Sequence, residues 1–426
     1  MSKINICFDI KIFIDAFIAT THRTGIYFVA WNVLQIMQKN KNFHIMLTYT
    51  CEYENSVDLK KVKETSFFSQ FKFVCAGLGL SETLTQQKIE QHGKNKKYIK
   101  MLYNYLRLAK LKIKEKIYYN EKKFKDTHIY LSPYYVIPKK ILKQWHIKKI
   151  YILYDTIPLI LPEYSMNLTT NTIINTFDKD IYSFCISQSC KDDFLKYCGD
   201  KLDANKMFVT HIATNQYYVP NYDKQELVKI LKKYSVEHNS NDKYLFSLCS
   251  LEPRKNLPFT IVCFFKFIKK HNIQDLYFYL GGEVIKSFEL VMRKTVEEAG
   301  EFRHKVKLLG YVDDVDINIL YSNSLFFTYL SQYEGFGMPP LEAMQAGTPV
   351  ITSNNSSLPE VVGDAAISLT YNDEETVIRA FENFYFNENL RKEYIARGLE
   401  RVKMFSWEKC VGKMIQIVEE IAKCSE

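Results

Sequence analysis

The chain has 426 residues, 47% of them apolar and 15% aromatic, which is enough to fill two or three domain cores and too apolar for a disordered polymer. Its charge is unevenly shared: residues 1–220 hold 32 Lys and Arg against 19 Asp and Glu, a net +13, and the remaining 25 against 29 leave residues 221–426 at −4. Ten scattered cysteines with no Cys-x-x-Cys pair argue against a disulfide scaffold or zinc ribbon, and with no bilayer-length apolar run and no signal peptide read, a cytoplasmic protein, soluble or peripheral on the inner face of the membrane, is expected.

The first strand is read at Ile4 to Ile10, followed by a loop and by Gly25, which opens an apolar segment, Ile26 to Met37, of helical periodicity. Between Lys94 and Lys125 stand twelve Lys and Arg against Glu115 and Glu121 alone. There Leu102, Tyr105, Leu106, Ala109 and Ile113 recur at helical spacing, with Lys100, Arg107, Lys110, Lys112, Lys114 and Lys116 on the other positions. Such a helix either lies on an anionic membrane surface or docks on its own domain with a solvated lysine face. Nucleic acid is not expected as a partner, because no nucleic-acid module accompanies the basic run. Further strands are read at Ile129 to Leu131 and Ile150 to Tyr154, the second running into Asp155-Thr156-Ile157-Pro158-Leu159. An Asp at a strand end commonly caps a turn. Asn215 to Asp242 is polar and suits an interdomain linker carrying a short helix.

Tyr244 to Leu251 is strand-like and leads into Glu252-Pro253-Arg254-Lys255-Asn256-Leu257-Pro258, then an apolar helical stretch through Ile268. Arg254 and Lys255 at the mouth of a strand can neutralise a diphosphate, and Asn256 is a candidate N-cap. Strands follow at Leu276 to Gly282 and Val306 to Tyr311. Asp314-Val315-Asp316 has the letters of a metal-binding Asp-x-Asp but lies in helix-like sequence, so no metal site is read. Two more strands, Leu325 to Leu330 and Pro349 to Thr352, bracket Glu334-Gly335-Phe336-Gly337-Met338-Pro339-Pro340-Leu341-Glu342. Here a strand delivers the chain to a glycine loop, the prolines start a helix where a missing N–H costs least, and Gly347 ends it. N–H groups at a helix start favour an anion such as phosphate, and two carboxylates accept sugar hydroxyls. A nucleotide sugar offers both. Either glutamate alone reads as a solvated acid at a βα turn; the pair, facing one small pocket, is the signal. Glu360 reads as a helix-start acid, and Ser406-Trp407-Glu408 begins a last apolar-periodic helix through Ile421.

The eight-residue step from Glu334 to Glu342, the Glu252 to Pro258 loop and the order of the strands resemble the family-4 retaining glycosyltransferases of the GT-B fold (glycosyltransferase group 1), with mannosyltransferase-like loops. The resemblance spans the chain in order and spacing and is specific over about residues 244–370. It implies an α/β protein of two Rossmann-like domains facing a central cleft. These would be a basic acceptor domain at 1–215, a linker at 216–243, a donor domain at 244–405 and a helix at 406–426 crossing back to the first domain. It further implies that Gly25 nears the donor phosphates, that Val312 lies beside the base, and that Gly335, Phe336, Gly337 and Glu342 bind the donor, Glu342 through the ribose. Glu334, Arg254, Lys255 and Asp155 become the catalytic candidates. Ser250 stands where many relatives carry an arginine, and Tyr154 where they carry a histidine before Asp155.

The expected activity is transfer of a sugar, with GDP-mannose as preferred donor, to a hydroxyl of a lipid-linked or surface-polysaccharide glycan of O-antigen type, with retention and without cofactor or metal. The rivals are a GT-B-like epimerase or phosphorylase and a non-catalytic nucleotide-sugar-binding subunit. A two-carboxylate hydrolase leaves the Arg254-Lys255 loop unexplained, and a nicotinamide oxidoreductase lacks its Gly-x-Gly-x-x-Gly.

Overall fold

The computed structural model describes residues 3–18, 25–79, 85, 88–90, 97–164, 168–239, 241–283 and 285–423. They form two compact units, Met1–Ile212 with Trp407–Glu426, and Ala213–Ser406. No helix among the described residues is long and apolar enough to cross a membrane.

The first unit is built on a seven-stranded parallel sheet of β1 (Ile4–Asp9), β2 (Phe43–Tyr49), β3 (Lys72–Cys75), β4 (Ile129–Ser132), β5 (Lys148–Leu153), β6 (Tyr182–Cys185) and β7 (Met207–Val209), in the order β3-β2-β1-β4-β5-β6-β7. Parallel strands covered on both faces read as nearly continuous apolar runs, and Ile6, opposite Ile45 on one side and Ile129 on the other, sits at the centre. The helix Gly25–Met37 buries Val29, Ala30, Val33, Leu34 and Met37, and the last helix, Trp407–Lys423, packs on it. That last helix buries Cys410, Val411, Met414, Ile417, Val418 and Ile421 at a 3–4 spacing. Its Glu419 accepts from the Nδ2 groups of Asn40 and Asn42 at 3.3 and 2.9 Å.

The basic helix, Tyr98–Tyr118, does not dock through the side its sequence pattern suggests. It buries Asn104, Leu108 and Leu111, whereas Leu102, Tyr105, Leu106, Ala109 and Ile113 are exposed. Polar ties fix this orientation: Glu115 Oε1 accepts from the Leu78 N–H at 3.1 Å, and Lys114 Nζ donates to the Glu54 carbonyl at 3.2 Å.

The second unit carries β8 (Lys243–Leu248), β9 (Leu276–Gly281), β10 (Val306–Gly310), β11 (Phe326–Tyr329), β12 (Val350–Ser353) and β13 (Ala366–Leu369) in the parallel order β10-β9-β8-β11-β12-β13. Parallel strands need crossovers, and the helices Leu257–Lys270, Met338–Gln345 and Leu358–Val362 supply three of them, while Glu374–Phe386 follows the last strand; Leu257, Ile261, Phe264, Phe267, Phe381 and Phe384 lie in the core. Residues 216–243, expected as a linker, are part of this unit. Val219 N–H donates to Asn318 Oδ1 at 3.0 Å and Asn221 N–H to Ser322 Oγ at 3.1 Å, so the backbone is stitched down before the helix Lys224–Lys233 begins at its Asp223 cap.

Candidate active site

In the second sheet the strand order reverses between β8 and β11, and open α/β sheets bind ligands outside the carboxyl ends of strands at such a switch point. The loops that leave those two strands carry Arg254-Lys255 and Glu334. The chain after β8 makes a short 3₁₀ turn, Pro253–Lys255, and then Asn256 takes a left-handed conformation with φ 55° before the helix starts. Asn256 is therefore not the expected side-chain cap; its Nδ2 donates to the Tyr371 carbonyl at 2.8 Å, and this anchors the loop across the sheet. The loop after β11 is fastened to it by the Gln332 N–H, which donates to the Arg254 carbonyl at 2.8 Å.

These constraints bring three candidates onto one atom. Glu334 Oε1 accepts from Lys255 Nζ at 2.6 Å and from the Tyr329 hydroxyl at 2.9 Å, and lies 2.8 Å from Arg254 Nη1. Lys255 Nζ also donates to the Tyr329 hydroxyl at 2.6 Å, and Arg254 Nη2 to Glu252 Oε1 at 2.7 Å. Ser250, at the arginine position of many relatives, donates to that same Glu252 oxygen at 3.0 Å. All four charged side chains are buried. Burial alone would raise the Glu334 carboxyl, but Lys255 and Arg254 outweigh it and hold it at about 2. The result is a pre-positioned pair of cations at strand ends, with one ionised carboxylate between them.

Glu342 is placed differently. It sits in the helix Met338–Gln345, accepts from the Tyr321 hydroxyl at 3.0 Å, and shares none of the hydrogen-bond partners of Glu334. Burial pushes its carboxyl up to about 7 against the lowering effect of Tyr321, with Asp314 adding to the rise. The two glutamates thus differ in charge state near neutrality, a distinction that their shared spacing motif conceals.

Between them, Glu334 N–H donates to Ser356 Oγ at 3.0 Å, and Ser357 Oγ donates to the carbonyls of Glu334 and Phe336 at 3.0 and 2.8 Å. Phe336 is buried and meets the Phe405 ring edge-on at 5.8 Å between centroids. Gly335 is half-buried beside it. Gly337, at φ 98°, turns the chain into the helix where a Cβ would lie 2.5 Å from Leu358 Cδ2. Gly337→Ala is expected to cost about 1–3 kcal/mol in a denaturant melt, through left-handed strain and that clash; an unchanged midpoint would contradict it. Val312 is buried, its Cγ2 3.0 Å from where a Cβ on Gly281 would be, so its side chain packs at the end of β9. Asp316 serves structure: it accepts from Lys233 Nζ at 2.6 Å and from the Tyr234 hydroxyl at 2.7 Å.

The first unit holds the other two candidates. Gly25 opens its helix and is exposed; Thr24 beside it lies outside the described residues. Asp155 follows β5 and accepts from the Ile157 N–H at 3.1 Å, the turn-capping role of an Asp at a strand end. The Tyr154 hydroxyl next to it is buried without a hydrogen-bond partner among the described residues.

Sequence reasoning missed Tyr329, Glu252 and Ser356. Tyr329 is the last residue of β11, so a rule that marks the final residue of each switch-point strand would have found it.

Known proteins share this architecture. The family model for glycosyl transferases group 1 matches residues 215–401. O-antigen chain mannosyltransferase B of Escherichia coli is 30% identical over 298 residues, covering 68% of this chain and 74% of that protein. The serotype-specific mannosyltransferase WbdA of Escherichia coli is 27% identical over 271 residues, 61% of this chain but only 32% of WbdA. In fold, the chain is similar to Anabaena HepE, whose crystal structure is in complex with UDP and glucose, with a TM-score of 0.65, 13% identity, and coverage of 98% of this chain and 100% of HepE. Two Rossmann-like units, a paired-cation loop at the switch point and this degree of identity lead to one conclusion: the chain belongs to the glycosyl transferases group 1 family and is a hexosyltransferase of the GT-B fold.

Proposed function

We propose that the chain transfers mannose from GDP-mannose, with retention and without a metal, to a hydroxyl of a lipid-linked or surface-polysaccharide glycan of O-antigen type. The observation that carries this reading is the convergence of Arg254, Lys255 and Tyr329 on Glu334 at the switch point of the second sheet. Breaking the bond from the sugar C1 to the diphosphate leaves negative charge on the leaving oxygen. Arg254 and Lys255 would stabilise that charge from fixed positions, which costs no reorganisation during the reaction. Glu334 would hold sugar hydroxyls, and Glu342 the ribose. Neither Glu334 nor Glu342 is read as a nucleophile, so the acceptor oxygen would bond to C1 on the face the phosphate leaves, with its proton passing to the departing phosphate oxygen. The mannose preference draws on the mannosyltransferase names of the relatives. Gly25 and Val312 are carried as donor contacts, and Asp155 as the first unit's contribution to the chemistry.

A thermal-shift panel of GDP, UDP, dTDP, CDP and ADP, with and without EDTA, tests the donor. At a hundred times Kd the bound nucleotide should add about 2.7 kcal/mol to stability. GDP alone is expected to do so, equally with EDTA, and not in Lys255→Ala. Stabilisation by another base, or only with metal, would overturn that part of the reading. Proton NMR of the product anomer decides retention. Binding without any transfer would favour the non-catalytic alternative.

A further inference from the structure

The helix Tyr98–Tyr118 has two seams. Asn104, Leu108 and Leu111 face its own unit. At about 100° per residue, the stripe Leu102, Leu106, Ala109, Ile113 and Ile117 lies roughly half a turn away from that seam. It points outward: Leu106 is 64% exposed, Ile113 60%, and Ile99 at the start of the helix 87%. The same geometry sets Lys110 along one border of the stripe and Lys112 and Lys116 along the other, all three exposed. Lys112 and Lys116 also line an open hollow of about 770 Å³ with Lys122, Lys125, Lys140 and His146, in which Glu115 and Glu121 are the acids. Trp145, between the lining residues Gln144 and His146, is 89% exposed.

An outward apolar stripe this long marks an interaction surface. Its cationic borders choose the occupant. A second copy of the same face would bring like charges together, whereas an anionic lipid surface supplies both an apolar layer and phosphates. We propose that this face docks the protein on an anionic bilayer. The stripe lies in the interfacial layer, the bordering lysines and the basic hollow contact lipid phosphates, and Trp145 enters the headgroup region as interfacial tryptophans do. The inference stands on this helix and the hollow beside it and needs no part of the transferase reading.

Vesicle flotation of the full chain tests it, with phosphatidylcholine vesicles and phosphatidylcholine–phosphatidylglycerol vesicles. The parent is expected to float with the anionic vesicles only, less so as salt rises, and with a blue shift in emission that Trp145→Phe removes. Lys110→Gln/Lys112→Gln/Lys116→Gln should lower partitioning on the order of a hundredfold, from roughly fivefold per lysine. Leu106→Asp/Ile113→Asp should abolish it, while circular dichroism and thermal midpoint stay those of the parent because the altered side chains are exposed. Equal flotation on both vesicle types, or unchanged flotation in both variants, would overturn the proposal. So would a parent that ignores vesicles, binds inorganic phosphate alone, or forms a dimer that the Leu106→Asp/Ile113→Asp change dissociates.

Discussion

Replacing Glu334 with leucine should destabilise the protein by about 3–5 kcal/mol, because it leaves buried cations without their counter-charge. Lys255 Nζ and Arg254 Nη1 both converge on Glu334 Oε1, and only Arg254 keeps a second carboxylate, Glu252. Lys255→Met should cost less, since Arg254 still neutralises Glu334. In the double variant the two effects should not add: part of the loss returns, as expected for residues in direct contact. Activity should behave otherwise. Each single variant and the double variant should lose on the order of 10²–10³ in turnover, the scale of removing one charge-stabilising donor. Urea melts of the four proteins together with initial rates separate the two roles. Additive melts would sink the structural account, and a double variant that recovers turnover with stability would sink the catalytic one. Acid provides an independent check. Below the ordinary carboxylate range the unfolded chain takes up the Glu334 proton before the folded protein does. The stabilisation is therefore complete above about pH 4.5 and is lost as pH falls through about 2.

Glu342 should do the opposite. Its carboxyl, raised by burial from 4.5 to about 7, holds a proton that the unfolded chain has already released. Stability should therefore fall as pH climbs from about 4.5 to about 7, by about 3 kcal/mol from this group, taking 1.36 kcal/mol per unit. Glu342→Gln should flatten that slope and melt higher than the parent at pH 8. If Glu342 accepts ribose hydroxyls as a carboxylate, nucleotide binding must drive off its proton. Affinity should then rise between about pH 6 and pH 8, and calorimetry in buffers of different ionisation enthalpy should register a released proton near neutrality. A glutamine variant with the same pH profile as the parent would remove Glu342 from the binding site.

Much of the architecture was legible because parallel strands and crossover helices leave strong local marks. The apolar run at Ile4 and the Pro339-Pro340 helix start are examples. The order of the strands was not, since no local pattern says that β11 will lie beside β8. Nor was the convergence on one Glu334 oxygen. Lys255 and Glu334 stand 79 residues apart, and the sequence named each without showing that Tyr329 joins them. The basic helix was legible only in part. Periodicity tells which residues share a face, but this helix has two usable faces, and a buried asparagine, Asn104, lies in the one that packs. Asn256 was misread because Asn serves both as a side-chain cap and as a residue tolerant of the left-handed region, and the two uses look alike in sequence.

The placement of the helix Trp407–Lys423 with the first unit bears on how the chain is made. A ribosome finishes residues 1–212 early, yet that unit still lacks the helix that buries Cys410, Met414, Ile417 and Ile421. The intervening 194 residues, from 213 to 406, take roughly 10–40 s to synthesise at about 5–20 residues per second. The second unit is therefore complete before the first. During that interval the face of the helix Gly25–Met37 that will receive the last helix waits uncovered, so the unit begun first is the last to close.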